Sequence, residues 1–97
     1  MDLPNLYRLF ANCADVDGNV TNFPTWDRIA ESAKVDPLDD AKAVRALIEK
    51  GAMQRIPVGA GLWRDYNYRI VRPRPDGVAC FEHALMTIGA SCAPYSE

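Results

Sequence analysis

The hydrophobic period of this chain changes at Gly51, and that change orders its elements. Before Gly51, apolar residues recur every three or four positions, the spacing of one helix face. After it they alternate with polar residues, the spacing of a half-buried strand. Beyond Gly77 the helical spacing returns. At 97 residues the chain has room for one domain with a thin core, of class α+β and mainly α.

Three helices are expected before Gly51. Leu3, Leu6, Tyr7, Phe10 and Ala14 predict the first over about 3–14, with Asp2 as cap and Pro4 in the first turn. Pro24-Thr25 opens the second. Thr25 caps it, Asp27 complements its dipole, and Trp26, Ile29, Ala30 and Ala33 form its apolar face to about residue 34. Asp36-Pro37 opens the third, with Leu38, Ala41, Val44, Leu47 and Ile48 as buried stripe and Gly51 as stop. Its outer face then carries Asp39, Asp40, Ala43 and Ala46, flanked by Lys42, Arg45 and Lys50.

Strands follow at 53–58 and 63–71, joined by a Gly59-Ala60-Gly61 turn. Ile56 and Val58 share one side of the first. Tyr66, Tyr68 and Ile70 alternate with Asp65, Asn67 and Arg69 in the second, which favours packing of the tyrosines on the helices over stacking of bases. Trp26 and Trp63 are expected at the core or its edge. Residues 1–72 form the domain, 73–77 an extended linker, and 78–97 a helix and tail. That helix, about 77–90, presents Val78, Phe81, Leu85 and Ile88, which can pack on helix one or against a twin in a homodimer.

Charge is segregated. Residues 1–41 carry three basic and eight acidic side chains, net −5; residues 42–74 carry eight and two, net +6; the remainder is net −3. The overall charge of −2 argues against a general DNA binder and leaves a basic middle able to act locally. No apolar run reaches the ~18 residues of a membrane span, and MDLPNLYRLF lacks a signal pattern, so a cytoplasmic protein without membrane contact is expected.

The sequence offers little catalytic chemistry. Asp15-Val16-Asp17-Gly18-Asn19 looks like the start of a calcium loop, but the sixth and twelfth positions are Val20 and Trp26 where Gly and Glu are required. It reads as a turn. Cys13, Cys80 and Cys92 are three, with no CxxC pair, and read as buried free thiols. Cys80-x-x-His83 lacks the further ligands of a zinc shell, with Cys80 expected half-buried and His83 on the wet side. No nucleophile sits beside a base. The expectation is no enzyme, no metal and no cofactor.

Ala11, Ala14-Asp15, Asp17-Gly18, Pro24-Thr25, Ile29-Ala30 and Leu47 through Gly51 together resemble the winged helix-turn-helix modules of phage and plasmid replication initiators and related regulators. The resemblance covers about half the chain. It implies three helices, a two-stranded β-hairpin wing and a C-terminal helix that often dimerises. It also implies binding of double-stranded DNA, by a transcription regulator or replication accessory protein of phage or mobile-element type. Candidate nucleic-acid contacts are Lys42, Arg45, Arg55, Arg64, Arg69, Arg72 and Arg74; arginines on exposed strands serve solubility as well. Where the family commonly carries base-reading residues, this chain has Asp36, Asp39 and Asp40. Aspartates in a first helical turn stabilise the helix by ~0.3–1 kcal/mol each, and they repel phosphate. The alternative is therefore a protein-binding module of the same fold, a phage-type inhibitor whose Asp36, Asp39, Asp40, Ala43 and Ala46 engage a basic protein surface.

Overall fold

The computed structural model describes residues 1–58 and 65–87. The chain is α+β and mainly helical: α1 (Leu3–Asn12), α2 (Trp26–Ala33), α3 (Asp40–Glu49), β1 (Met53–Val58), β2 (Asp65–Ile70) and α4 (Val78–Met86). Short 3-10 turns at Pro37–Asp39 and Pro75–Gly77 lead into α3 and α4.

Helix boundaries follow local chemistry. Asp2 accepts from the Asn5 amide at 3.2 Å, Thr25 Oγ1 from Arg28 at 3.3 Å, and Asp36 Oδ1 from Leu38 at 3.0 Å. α2 ends at Ala33 and is capped by Lys34, which takes the left-handed conformation at φ 55°. α3 ends at Glu49; Lys50 caps it and Gly51 follows at φ 81°, with Gly51 N donating to Ile48 O and Ala52 N to Leu47 O, both at 3.0 Å.

Leu6, Phe10, Ile29, Leu47, Met53 and Phe81 are the largest fully buried side chains, so every helix and β1 contributes to one core. The hairpin is antiparallel, in register from Met53↔Ile70 to Val58↔Asp65. Tyr68 and Ile70 turn toward the helices while Asn67 and Arg69 face water, as the alternation predicts. α4 packs on α1. Tyr7 meets Phe81 edge-on at 5.0 Å and donates its hydroxyl to Val71 O at 2.5 Å. Lys50 Nζ reaches the end of α4 and donates to Ala84 O (2.8 Å) and Thr87 O (2.6 Å).

Residues 14–20 do more than turn. Val20 N donates to Tyr68 O and Ile70 N to Gly18 O, each at 2.8 Å, and Asn19 bridges Arg69 in antiparallel sense. The α1–α2 connection thus lies along the free edge of β2. A turn was the expectation; the edge pairing was not, because its partner lies some fifty residues on.

Several expectations are corrected. α1 ends at Asn12, before Ala14, and Leu9 joins its buried face. Leu38 is 90% exposed, and Ala43 is fully buried beside Val44 and Leu47. The predicted stripe steps by three residues, and each such step lags the helical period by about 60°. Leu38 and Val44 would thus diverge by about 120° even on a continuous helix. The 3-10 turn over 37–39 further separates Leu38 from α3. Ala41 is exposed, and Ala46 is half-buried against the core. Trp26 is 47% exposed: as the first residue of α2 it overhangs the core, and Phe23 covers the edge instead. Ile56 and Val78 are exposed, as is Cys80, and Cys13 is half-buried. The segment 75–77 of the expected linker is a 3-10 turn. Gly59–Gly61, Trp63, Arg64, Ile88 and Cys92, with the side chains of Val58 and Tyr66, fall outside the described residues.

Candidate nucleic-acid interface

The seven basic residues proposed from sequence have different fates. Arg69 Nε donates to Asp17 O at 3.1 Å. Arg72 donates to Asp15 O at 2.9 Å and Val16 O at 3.4 Å. These two arginines tie the α1–α2 connection to β2, and their donors are aimed at backbone carbonyls. Lys42 lies 3.4 Å from Asp39 on an exposed helix surface. An exposed i,i+3 pair of this kind contributes a few tenths of a kcal/mol. Arg74 is exposed where the chain enters the 3-10 turn before α4. Arg64 lies outside the described residues.

Arg45 and Arg55 are brought together. α3 supplies Ala41, Arg45 and Glu49, and β1 supplies Arg55, which pairs across the hairpin with Tyr68. With Trp26 these side chains line a groove of about 340 Å³ between α3, the start of α2 and the hairpin. A second groove of about 300 Å³ lies beyond Trp26 and Tyr68, bounded by Thr21, Phe23 and Asn67. Phe23 joins this surface to the core: its ring centre is 5.5 Å from Phe10, 5.7 Å from Trp26 and 5.1 Å from Tyr68. An aromatic ridge rooted in buried Phe10 thus separates two grooves.

The acidic candidates are mostly engaged within the fold. Asp36 caps the 3-10 turn through Leu38 N, and Asp39 N donates back to Asp36 O at 2.7 Å. Asp39 is half-buried beside Lys42, and Asp40 is half-buried at the first position of α3. Of the two alanines offered as contacts, Ala43 is inside the core and Ala46 packs against it, so neither belongs to an outer face. Pro37, Leu38 and Ala41 are the exposed apolar residues at this end.

The calcium-like stretch resolves into backbone hydrogen bonding. Asp15 Oδ1 accepts from the amides of Asp17 and Asn19, both at 2.9 Å, and Gly18 N donates to Asp15 O at 3.0 Å. Among the described residues no group of three or more His, Cys, Asp or Glu side chains is placed to hold a metal ion. His83 is exposed, its Nε2 3.3 Å from Thr87 Oγ1. No described helix is long and apolar enough to cross a membrane.

The aromatic ridge is the feature that sequence reading missed. Its local signal was Phe23-Pro24-Thr25-Trp26, in which two large rings flank a helix start. The chain matches no protein-family model, no curated protein and no solved structure.

Proposed function

We propose that this chain is a winged helix-turn-helix protein that binds double-stranded DNA, as a regulator or replication accessory factor of phage or mobile-element type. The element order supports the reading. α2 and α3 are joined by a short turn, β1 and β2 follow as a hairpin, and residues 18–20 lie along β2. The observation that carries it is the pairing of Arg45, from α3, with Arg55, from the hairpin, on one groove. A helix and a hairpin that straddle a duplex need cations at that junction.

In this reading Arg45, Arg55 and Lys42 neutralise phosphates. Leu38 and Ala41 meet the major groove and can touch thymine methyl groups, though they cannot make the bidentate hydrogen bonds that define a base. Lys42 beside Asp39 softens the repulsion that this carboxylate would exert on a phosphate. With two or three phosphates neutralised, the slope of log affinity against log salt is about −2 to −3. Affinity then falls about 10- to 40-fold between ~50 and ~200 mM salt. Fluorescence anisotropy with a labelled mixed-sequence duplex tests this; no binding at ~50 mM salt refutes it.

Leu38 favours a second reading. A leucine 90% exposed between Asp36 and Asp39 suits an apolar contact ringed by carboxylates, as on a module that engages a basic protein surface. Asp39→Lys separates the readings. It strengthens duplex binding if α3 faces phosphates. Wild-type silence, with binding gained only by the variant, favours the protein-binding module.

A further inference from the structure

The aromatic ridge remains unused by the duplex reading. Trp26 and Tyr68 line both grooves, Arg45 and Arg55 stand on one side, and Thr21 and Asn67 on the other. Trp26 and its neighbour Phe23 are both exposed, with the half-buried Tyr68 ring beside Phe23, and exposed aromatic patches of this kind mark interaction sites. Phe23 meets Trp26 edge-on, with 60° between the ring planes, and is itself packed on Phe10, so the indole is braced from the core. A braced ring loses little freedom when a flat ligand covers it. Thr21 and Asn67, both exposed, offer a hydroxyl and an amide that can donate and accept.

We infer that the Trp26–Tyr68 ridge, flanked by Arg45 and Arg55, is a stacking platform for unpaired nucleotides and binds single-stranded DNA. Bases lie against Trp26 and Tyr68, and the strand's phosphates run past the two arginines. The match is of charge and shape together: nucleobases present flat π-faces at close intervals along an anionic backbone, and this surface sets two aromatic rings beside two guanidinium groups. Glu49 lines the arginine side and opposes a phosphate there, which limits affinity at that end of the path. The inference rests on the duplex-binding proposal for the phosphate contacts, and adds a ligand that a duplex cannot supply without opening.

The test uses the full chain, a labelled oligothymidylate, and a labelled duplex at ~50 mM salt. Anisotropy of both is followed for the wild type, Trp26→Leu and Trp26→Phe, with circular dichroism to check folding. Oligothymidylate binds saturably to the wild type. Trp26→Leu weakens that binding between about 5- and 150-fold, the range for one lost base stack, and lowers the ratio of single-strand to duplex affinity. Trp26→Phe, which keeps a stacking face, restores most of it. Glu49→Gln strengthens single-strand binding. Duplex binding without oligothymidylate binding overturns this inference alone; silence toward both overturns the duplex proposal with it. An equal loss of both affinities in Trp26→Leu also overturns it. So does a dimer that Trp26→Leu dissolves and oligothymidylate does not, because the patch then belongs to a second copy of the chain.

Discussion

Replacing Gly18 by alanine should cost more than its place in a surface connection suggests. Gly18 has φ +87°, a conformation that L-residues adopt at a cost of about 1–2 kcal/mol. A Cβ there would also lie 2.9 Å from the Ile70 carbonyl oxygen. That oxygen is backbone of β2, so relief requires the connection to back away. Backing away strains two hydrogen bonds, Ile70 N to Gly18 O and Val20 N to Tyr68 O, each contributing about 0.5–1.5 kcal/mol. Alanine restricts the unfolded chain and returns about 0.4–1 kcal/mol. The net loss is about 2–3 kcal/mol, against a total of about 5–15 kcal/mol for a domain this size. Thermal unfolding followed by circular dichroism should show the midpoint falling by roughly 10–20 °C. A shift under about 3 °C would mean that residues 18–20 do not lie against β2, and the pairing described here would be wrong.

Three further outcomes follow from the same packing. Leu38→Ala should change stability by less than about 0.5 kcal/mol, because the side chain is already in water, whereas Ala43→Leu should cost about 1–3 kcal/mol by overfilling the core; chemical denaturation of both variants tests the rotation of α3. Arg72→Ala removes donors to Asp15 and Val16 and should cost about 1 kcal/mol in urea unfolding, with duplex affinity altered less than about twofold. Lys50→Met removes a cation held by two carbonyls at the end of α4, so amide exchange there should quicken about 5- to 30-fold while α2 keeps its protection.

What was legible in the sequence was local. Asp2, Thr25, Asp36 and Gly51 mark helix ends because each acts on backbone within a few residues of itself. Alternation about Tyr68 and Ile70 gives the strand's faces for the same reason. What escaped was set at a distance. Nothing near Gly18 reveals that Ile70 will lie against it, and nothing near Arg69 or Arg72 reveals that their guanidinium groups will be spent on the carbonyls of residues 15–17. The phase of α3 failed for a different reason. Leu38 fits a stripe of threes, but the 3-10 turn and the 3.6-residue period carry it to the opposite side from Ala43. The site was affected in proportion. Arg45 and Arg55 line one groove, Arg69 and Arg72 turn to the carbonyls of residues 15–17, Ala43 is inside the core, and Trp26 is half exposed.

The division of labour among the arginines is the claim on which the proposed interface depends, and salt titration of duplex binding measures it directly. Wild type, Arg45→Ala and Arg72→Ala would be titrated in parallel, with affinity recorded from ~50 to ~200 mM salt. Arg45→Ala should flatten the log–log slope by about 1 and weaken binding at every salt concentration, while Arg72→Ala leaves the slope where it was. Equal slopes for wild type and Arg45→Ala, or a flattened slope for Arg72→Ala alone, would contradict that division.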